Sequence, residues 1–257
     1  MPSLVSERQD IIKWLEHTNP SEIHNRSWRL YEKHTGNWVL RSAEWADFLD
    51  GRHRTLWIHG IPGAGKTILC SNLAETLRCS RRDHPPAVGW AYYYCYFGRN
   101  QDETGPLLRW FIAQLCNQAA YVPKELAEAY RERHEPDTDK LLSILAASLQ
   151  PLDVAFVTID AIDESMPYTN LLAALGSLMT ESRFEKLRLL LTSRQYLDIE
   201  QCIKPCAVSL PMSNHLVAED LRIYVGSKLQ TNPKFRAWAA SLLAEVEDAL
   251  VTGAKGM

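Results

Sequence analysis

The sequence has no basic excess, no apolar run long enough to cross a membrane and no paired cysteine motif. Its 28 Lys and Arg against 31 Asp and Glu give a formal net charge of -3, whereas nucleic-acid-binding domains usually carry a basic surplus or stripe. The longest apolar runs, residues 90–97 and 154–159, are far shorter than the ~20 residues that span a bilayer. Residues 1–10 lack the basic and apolar regions of a secretion signal. We therefore expect a cytoplasmic protein without nucleic-acid or membrane partners.

The six cysteines are scattered along the chain, and the nearest two, Cys202 and Cys206, have no second pair at matching spacing. This pattern does not predict a zinc site. Isolated cysteines inside apolar segments usually behave as small core residues. We therefore expect these cysteines to lie in the core.

Short apolar runs alternate with segments of helical periodicity through the middle of the chain. The runs that predict strands are residues 55–59, 88–97, 154–160, 187–192 and 207–210. They are continuously apolar, which is typical of a parallel sheet covered by helices on both faces. The sequence therefore predicts an α/β fold, a three-layer sandwich around a parallel five-stranded sheet.

The two ends of the chain differ from this middle part. Residues 1–37 predict a linker with a helix over 4–17, and residues 38–211 contain all the predicted strands. From residue 212 to 257 only helical periodicity remains, which predicts a small helical appendage. The tyrosine-rich run from Tyr92 to Phe97 is expected to pack in the core as a strand.

A glycine loop follows the first predicted strand and precedes a predicted helix. It reads GIPGAGKT and matches G-x-x-x-x-G-K-[ST] in full. Glycines let backbone N–H groups turn toward a phosphate, and the helix presents its positive end to the same anion. In such a loop Lys66 reaches the β- and γ-phosphates and the Thr67 hydroxyl is placed for Mg²⁺. The predicted nucleotide contacts are Gly60, Pro62, Gly63, Ala64, Gly65, Lys66, Thr67 and Ile68.

Three acids follow the strand predicted over residues 154–160. Asp160 ends the strand and can hold Mg²⁺ directly or through water, as in other phosphate-loop enzymes. Asp163 and Glu164 come one short turn later and can polarise an attacking water. Arg194 follows another apolar strand, and ligands of open α/β sheets lie beyond the carboxyl ends of the strands. Its planar, permanently charged guanidinium suits a γ-phosphate.

Three segments together resemble the NACHT class of signal-transduction ATPases. They are GIPGAGKT at residues 60–67, VTIDAIDES at 157–165 and LLLTSR at 189–194. The likeness is to the nephrocystin-3-like N-terminal domain found in fungal multidomain proteins with ankyrin or WD repeats, and it begins near Trp38.

The resemblance implies a P-loop NTPase sandwich and a role for each site residue. Lys66 and Thr67 take the phosphate-loop roles, Asp160 holds the metal, Asp163 and Glu164 form the acidic pair, and Arg194 is the first sensor. Members of the class continue into a winged-helix segment and repeats, so the chain is expected to be a truncated product or an isolated module.

The leading hypothesis is a regulatory switch that binds ATP or ADP with Mg²⁺ and hydrolyses ATP slowly. The alternatives are a nucleotide-dependent scaffold without turnover and a phosphate-loop kinase of small molecules. A GTPase is disfavoured because the sequence lacks the Asn-Lys-x-Asp guanine motif. Self-association or protein partners are expected through the helical appendage. Two interpretations of residues 38–40 stay open, an adenine pocket and core packing.

Overall fold

Five parallel strands form one sheet in the computed structural model, which describes residues 4–80, 88–212 and 214–254. The strands are β1 (Thr55–His59), β2 (Val88–Tyr94), β3 (Val154–Asp160), β4 (Leu187–Ser193) and β5 (Val208–Pro211). Their order across the sheet is β2-β3-β4-β1-β5. The predicted α/β fold with a five-stranded parallel sheet is confirmed. Because the strands are parallel, their carboxyl ends meet at one edge of the sheet.

Helices connect the strands and flank the sheet. They are α1 (Leu4–Leu15), α2 (Ser21–Leu30), α3 (Asn37–Leu40), α4 (Ala43–Leu49), α5 (Lys66–Ser80), α6 (Thr104–Ala119), α7 (Lys124–Glu132), α8 (Thr138–Ser148), α9 (Thr169–Thr180), α10 (Leu197–Ile203), α11 (Asn214–Thr231) and α12 (Ala240–Ala254). Short 3-10 helices lie at Phe97–Arg99, Ile162–Glu164, Ser182–Phe184 and Pro233–Phe235. Among the described helices, none combines the length and apolar character needed to cross a membrane.

Two hydrophobic clusters lie on opposite faces of the sheet and make the three layers. Along β2, Tyr93 belongs to the cluster under α1, α6, α8, α9 and α10, whereas Tyr92 and Tyr94 belong to the cluster under α3, α4 and α5. This alternation follows from the two-residue period of a strand. Both faces are covered, which explains why the strands read as continuously apolar.

The predicted N-terminal linker contributes to both layers. In α1, Ile11 and Leu15 are buried in the first cluster. In α2, the buried His24 ring hydrogen-bonds the Tyr94 hydroxyl at 2.9 Å and Glu75 of α5 at 2.9 Å. The helices before residue 37 therefore share the core of the sheet, and the domain boundaries proposed from the sequence stay predictions.

Two expectations about burial are wrong in part. Tyr96 and Phe97 are 48% and 62% exposed, because β2 ends at Tyr94 and the chain turns into a 3-10 helix. Three of the six cysteines are buried, whereas Cys79 and Cys206 are exposed and Cys202 is partly so. Cys79 lies in the last turn of α5.

Candidate functional site

The glycine loop joins β1 to α5 at the carboxyl edge of the sheet. Gly63 and Gly65 have φ angles of 81° and 86°, in the left-handed region that favours glycine. A Cβ on Gly65 would meet no atom within 4 Å, so the requirement for glycine there is conformational and not a matter of space. The loop therefore depends on its glycines for its backbone turn.

Lys66 begins α5 and folds back over the loop. Its Nζ donates to the carbonyl oxygens of Gly60 and Ile61, each at 2.8 Å. Burial lowers the pKa of the Lys66 ammonium and outweighs the opposing attraction of Asp163 and Asp160. Both of these hydrogen bonds go to backbone carbonyls. The ammonium can exchange such neutral acceptors for the oxygens of an anion.

A cavity of about 290 Å³ opens in front of the loop and gathers most of the predicted site. Its lining contains every residue proposed for catalysis or metal binding and most of those proposed for nucleotide contact: Pro62, Gly63, Gly65, Lys66, Thr67, Ile68, Asp160, Ala161, Asp163, Glu164, Thr192 and Arg194. Gly60 and Ala64 lie outside this lining and face neighbouring cavities. The roles of all these residues stay predictions.

Asp160 is a buried carboxylate at the end of β3. The Thr192 hydroxyl donates to its Oδ1 at 2.5 Å, and the Thr67 hydroxyl also hydrogen-bonds it. Burial raises the pKa of Asp160 to about 6, although these two hydrogen bonds lower it. Mg²⁺ is usually held by one or two carboxylates together with substrate phosphates. The Asp160 carboxylate and the Thr67 hydroxyl offer oxygen ligands beside the loop, and this ligand set fits Mg²⁺.

The two acids of the turn after β3 have different surroundings. The Asp163 side chain is 4% exposed, and its Oδ1 accepts the Arg194 backbone N–H at 2.9 Å while Oδ2 lies 3.2 Å from Arg194 Nε. Glu164 Oε2 accepts the Phe97 backbone N–H at 3.2 Å. Asp163 is therefore paired with a cation, whereas Glu164 is oriented by a single amide of another loop.

Arg194 directly follows β4 at the carboxyl edge of the sheet. β4 pairs with β1, the strand before the glycine loop, in parallel register. The guanidinium contacts Asp163 and donates to the Tyr196 hydroxyl at 3.1 Å, and 40% of the side chain is exposed. A contact with a terminal phosphate would require Arg194 to share or exchange these partners, so its sensor role stays a prediction.

Sequence reasoning missed a second cavity, of about 240 Å³, on the other side of the glycine loop. Its mostly apolar lining comes from the segment after α2, the loop and α11: Leu30, Glu32, Thr35, Gly36, Gly63, Ala64, Gly65, Ile68, Leu69, Met212, Val217, Asp220, Leu221 and Tyr224. The helical spacing of the apolar residues in α11 was the available signal. Of the residues 38–40 considered for an adenine pocket, Val39 is buried in the core and none lines this cavity.

Two carboxylates join α11 to the segment around residues 30–36, which forms the opposite wall of this second cavity. Asp220 accepts the Gly36 backbone N–H at 2.9 Å and the Trp38 indole N–H at 3.0 Å. Glu32 accepts the Ser227 hydroxyl and the Lys228 ammonium, both at 2.9 Å. Burial raises the pKa of Asp220, against the lowering effect of its two hydrogen bonds.

A parallel sheet with a glycine loop after its first strand and an acid at the end of β3 defines a P-loop nucleotide-binding domain. Residues 34–194 match the family model described as Nephrocystin 3, N-terminal. The match covers more than half of the chain, and the chain belongs to this family.

The chain is also similar to a curated fungal protein and to a solved structure. The chain is 26% identical over 234 residues to the vegetative incompatibility protein HET-E-1 of Podospora anserina, covering 85% of this chain and 17% of that protein. The family match and this relative confirm the predicted NACHT-type domain. A solved structure of PCH-2 from C. elegans is 14% identical, with a TM-score of 0.40 over 97% of this chain and 58% of that one.

Proposed function

We propose that this chain is an ATP- and ADP-binding regulatory module of the NACHT class that hydrolyses ATP slowly with Mg²⁺. The observation that carries the proposal is the cavity in front of the glycine loop. It brings an ammonium, two hydroxyls, three carboxylates and a guanidinium from three strand ends into about 290 Å³. Nucleoside triphosphates require this combination, because phosphates need cations and N–H donors while hydrolysis needs a carboxylate near water.

The phosphates would be bound by the glycine loop. Its backbone N–H groups and the N-terminus of α5 favour an anion, and Lys66 would leave the carbonyls of Gly60 and Ile61 for phosphate oxygens. Asp160 and Thr67 would hold Mg²⁺. When bound, the ion supplies charge neutralisation at the β- and γ-phosphate oxygens.

The base would occupy the second cavity, which adjoins the loop. Its carboxylates, Asp220 and Glu32, already accept hydrogen bonds from Gly36, Trp38, Ser227 and Lys228. Each carboxylate keeps acceptor capacity for an N–H donor of a base. The preference for ATP over GTP rests on the resemblance to the NACHT class of ATPases.

Hydrolysis would rest on Glu164, with Asp163 and Arg194 as partners. Glu164 is held by one amide and has acceptor capacity left to orient a water. Arg194 would contact the γ-phosphate at the expense of its pair with Asp163. The cost of exchanging that pair supports low turnover.

A nucleotide-dependent scaffold without turnover is the second candidate. It is favoured by one observation, that Asp163 and Glu164 both accept hydrogen bonds from protein donors. Proteins of this kind would bind nucleotide stoichiometrically and release no phosphate.

Two measurements separate these candidates. The first is calorimetric titration with ATP, ADP and GTP in the presence of Mg²⁺, and the second is phosphate release. The proposal expects ATP and ADP to bind, GTP to bind more weakly and phosphate to be released slowly. A Glu164→Gln variant should bind ATP normally and hydrolyse it about 10²-fold more slowly. Binding without phosphate release in the wild type would favour the scaffold, and no nucleotide binding would contradict both.

The helical appendage is the proposed contact for protein partners or a second copy. Leu242 and Leu250 of α12 are exposed, and so is Trp238, which lies just before this helix. Contiguous exposed apolar surface is typical of interaction sites. Light scattering of the wild type and a Leu242→Glu variant would test self-association through this contact. The wild type should have a mass above that of one chain, and the variant should have the mass of one chain.

A further inference from the structure

Glu103 is a fully buried carboxylate at the start of α6, outside the phosphate cavity. Its Oε2 accepts the Tyr93 hydroxyl at 2.5 Å and the Gln101 side-chain amide at 3.1 Å. Its Oε1 accepts the Arg99 guanidinium at 2.7 Å. A buried carboxylate is tolerated when it is paired and fully hydrogen-bonded. Glu103 meets that condition through residues of β2 and of the loop that follows β2.

Arg99 is the cation of this pair and is itself only 18% exposed. Besides Glu103, it donates to the Tyr94 carbonyl at the end of β2, at 2.9 Å. Its guanidinium lies 5.6 Å from the ring centre of Tyr93 and 5.9 Å from that of Tyr96, a cation–π arrangement. Arg99 therefore fixes the loop of residues 95–103 between the strand end and the first turn of α6.

This loop is joined to the segment that carries the acidic turn after β3. The hydrogen bonds between the two segments are Cys95 N to Asp160 O at 3.0 Å, Phe97 N to Glu164 Oε2 at 3.2 Å, Met166 N to Gln101 O at 2.9 Å and Glu103 N to Ser165 Oγ at 3.1 Å. Of these, the Phe97 bond holds a side chain of the proposed hydrolytic site.

The Phe97 side chain is exposed, at 62%, so it does not anchor its own amide. The amide direction is set by the backbone between Tyr94 and Gln101, which the Arg99–Glu103 pair organises from within. Movement of that backbone would move the donor that orients Glu164.

We propose that Arg99 and Glu103 are positioning residues for Glu164. They hold the Phe97 amide where it orients the Glu164 carboxylate in the phosphate cavity. This inference rests on the proposed function, since Glu164 matters for turnover only if the domain hydrolyses nucleotide. Misplacing a catalytic group by about 1 Å can cost ~10²-fold in rate.

The test uses Arg99→Ala, the isosteric Glu103→Gln and the conservative Arg99→Lys in the full chain. We expect Arg99→Ala and Glu103→Gln to lower kcat about ten- to a hundredfold and to leave ATP affinity unchanged, because neither residue lines the cavity. Arg99→Lys should recover part of the rate, since one ammonium can still reach a carbonyl and a carboxylate. Arg131→Ala, which breaks the exposed pair with Glu7 between α7 and α1, is the matched control and should have the wild-type rate.

Combining Arg99→Ala with Glu164→Gln separates positioning from general destabilisation. If Arg99 acts through Glu164, the double variant should hydrolyse ATP at the rate of Glu164→Gln alone. Additive losses, or equal losses of kcat and ATP affinity in Arg99→Ala, would overturn the proposal.

Amide hydrogen exchange without nucleotide gives a readout that does not depend on turnover. In Arg99→Ala and Glu103→Gln the amides of residues 96–98 and 162–165 should exchange faster, while those of α8 stay at the wild-type rate. If the wild type releases no phosphate, the proposed hydrolysis fails, and this measurement alone decides the positioning. Unchanged exchange at Phe97 would overturn it.

Discussion

Replacing Asp160 by Asn tests the burial of the carboxylate at the centre of the site. Burial raises the pKa of Asp160 to about 6, although hydrogen bonds from Thr192 and Thr67 lower it. In an unfolded chain the pKa of an aspartate is about 3.9. Between these values the folded state holds the proton more tightly, so the free energy of unfolding falls as the pH rises from 4 to above 6. The difference corresponds to about 3 kcal/mol. Asn carries no charge and escapes this loss.

The assay is urea unfolding followed by circular dichroism, without nucleotide or divalent metal, at several pH values between 4 and 7.5. The stability of Asp160→Asn relative to the wild type should rise by about 3 kcal/mol across this range. Asp50→Asn, at an exposed aspartate before β1, is the control and should show no such change. A difference between Asp160→Asn and the wild type that is flat with pH would refute the reasoning, because the carboxylate would then ionise equally in both states.

The remaining predictions concern nucleotide affinity and are read by calorimetry. Lys66→Ala should abolish measurable ATP binding and leave the circular dichroism spectrum native, because it removes the cation proposed to bind the phosphates; unchanged affinity would contradict that role. Arg194→Ala should lower the affinity for ATP roughly ten- to a hundredfold and the affinity for ADP little, as expected for one charge-assisted hydrogen bond of ~1.5–3 kcal/mol to the γ-phosphate. Equal losses of affinity for ATP and ADP would indicate a structural role for Arg194. Asp220→Ala should weaken ATP and ADP equally, because it loosens a wall of the second cavity, where the base is proposed to bind, whereas Arg222→Ala on the same helix should change neither. A loss confined to ATP in Asp220→Ala would contradict this placement.

The strands and the glycine loop could be predicted because their signals are local. A continuously apolar run such as Leu189–Leu191 has few alternatives to a buried parallel strand, and the loop motif lies between such a run and an amphipathic helix. The pairing of β4 with β1, which brings Arg194 to the loop, was expected from the resemblance and not from the residues themselves.

Other parts of the structure depend on contacts that no local pattern contains. The sequence of α2, SEIHNRSWRL, has few apolar residues, and the helix is stabilised by the contacts of His24 with Tyr94 and Glu75. The pair between Asp163 and Arg194 joins residues 31 positions apart. Spacing alone gave Asp163 and Glu164 the same potential role, whereas the structure gives them different partners.

The walls of the second cavity, beside the glycine loop, lie partly outside the region that the family model matches. Leu30 and Glu32 precede residue 34, and Met212, Leu221 and Tyr224 follow residue 194. Glu32 connects these two outer segments directly through Ser227 and Lys228, and Asp220 joins α11 to Gly36 at the start of the matched region. Under the proposed function, a base in this cavity would contact both walls at once and would stabilise the arrangement in which they are joined, because a ligand favours the state that it binds. Nucleotide occupancy would thereby be coupled to the position of α11 relative to the N-terminal segment, and through the packing of α11 on α12 to the exposed face of the helical appendage.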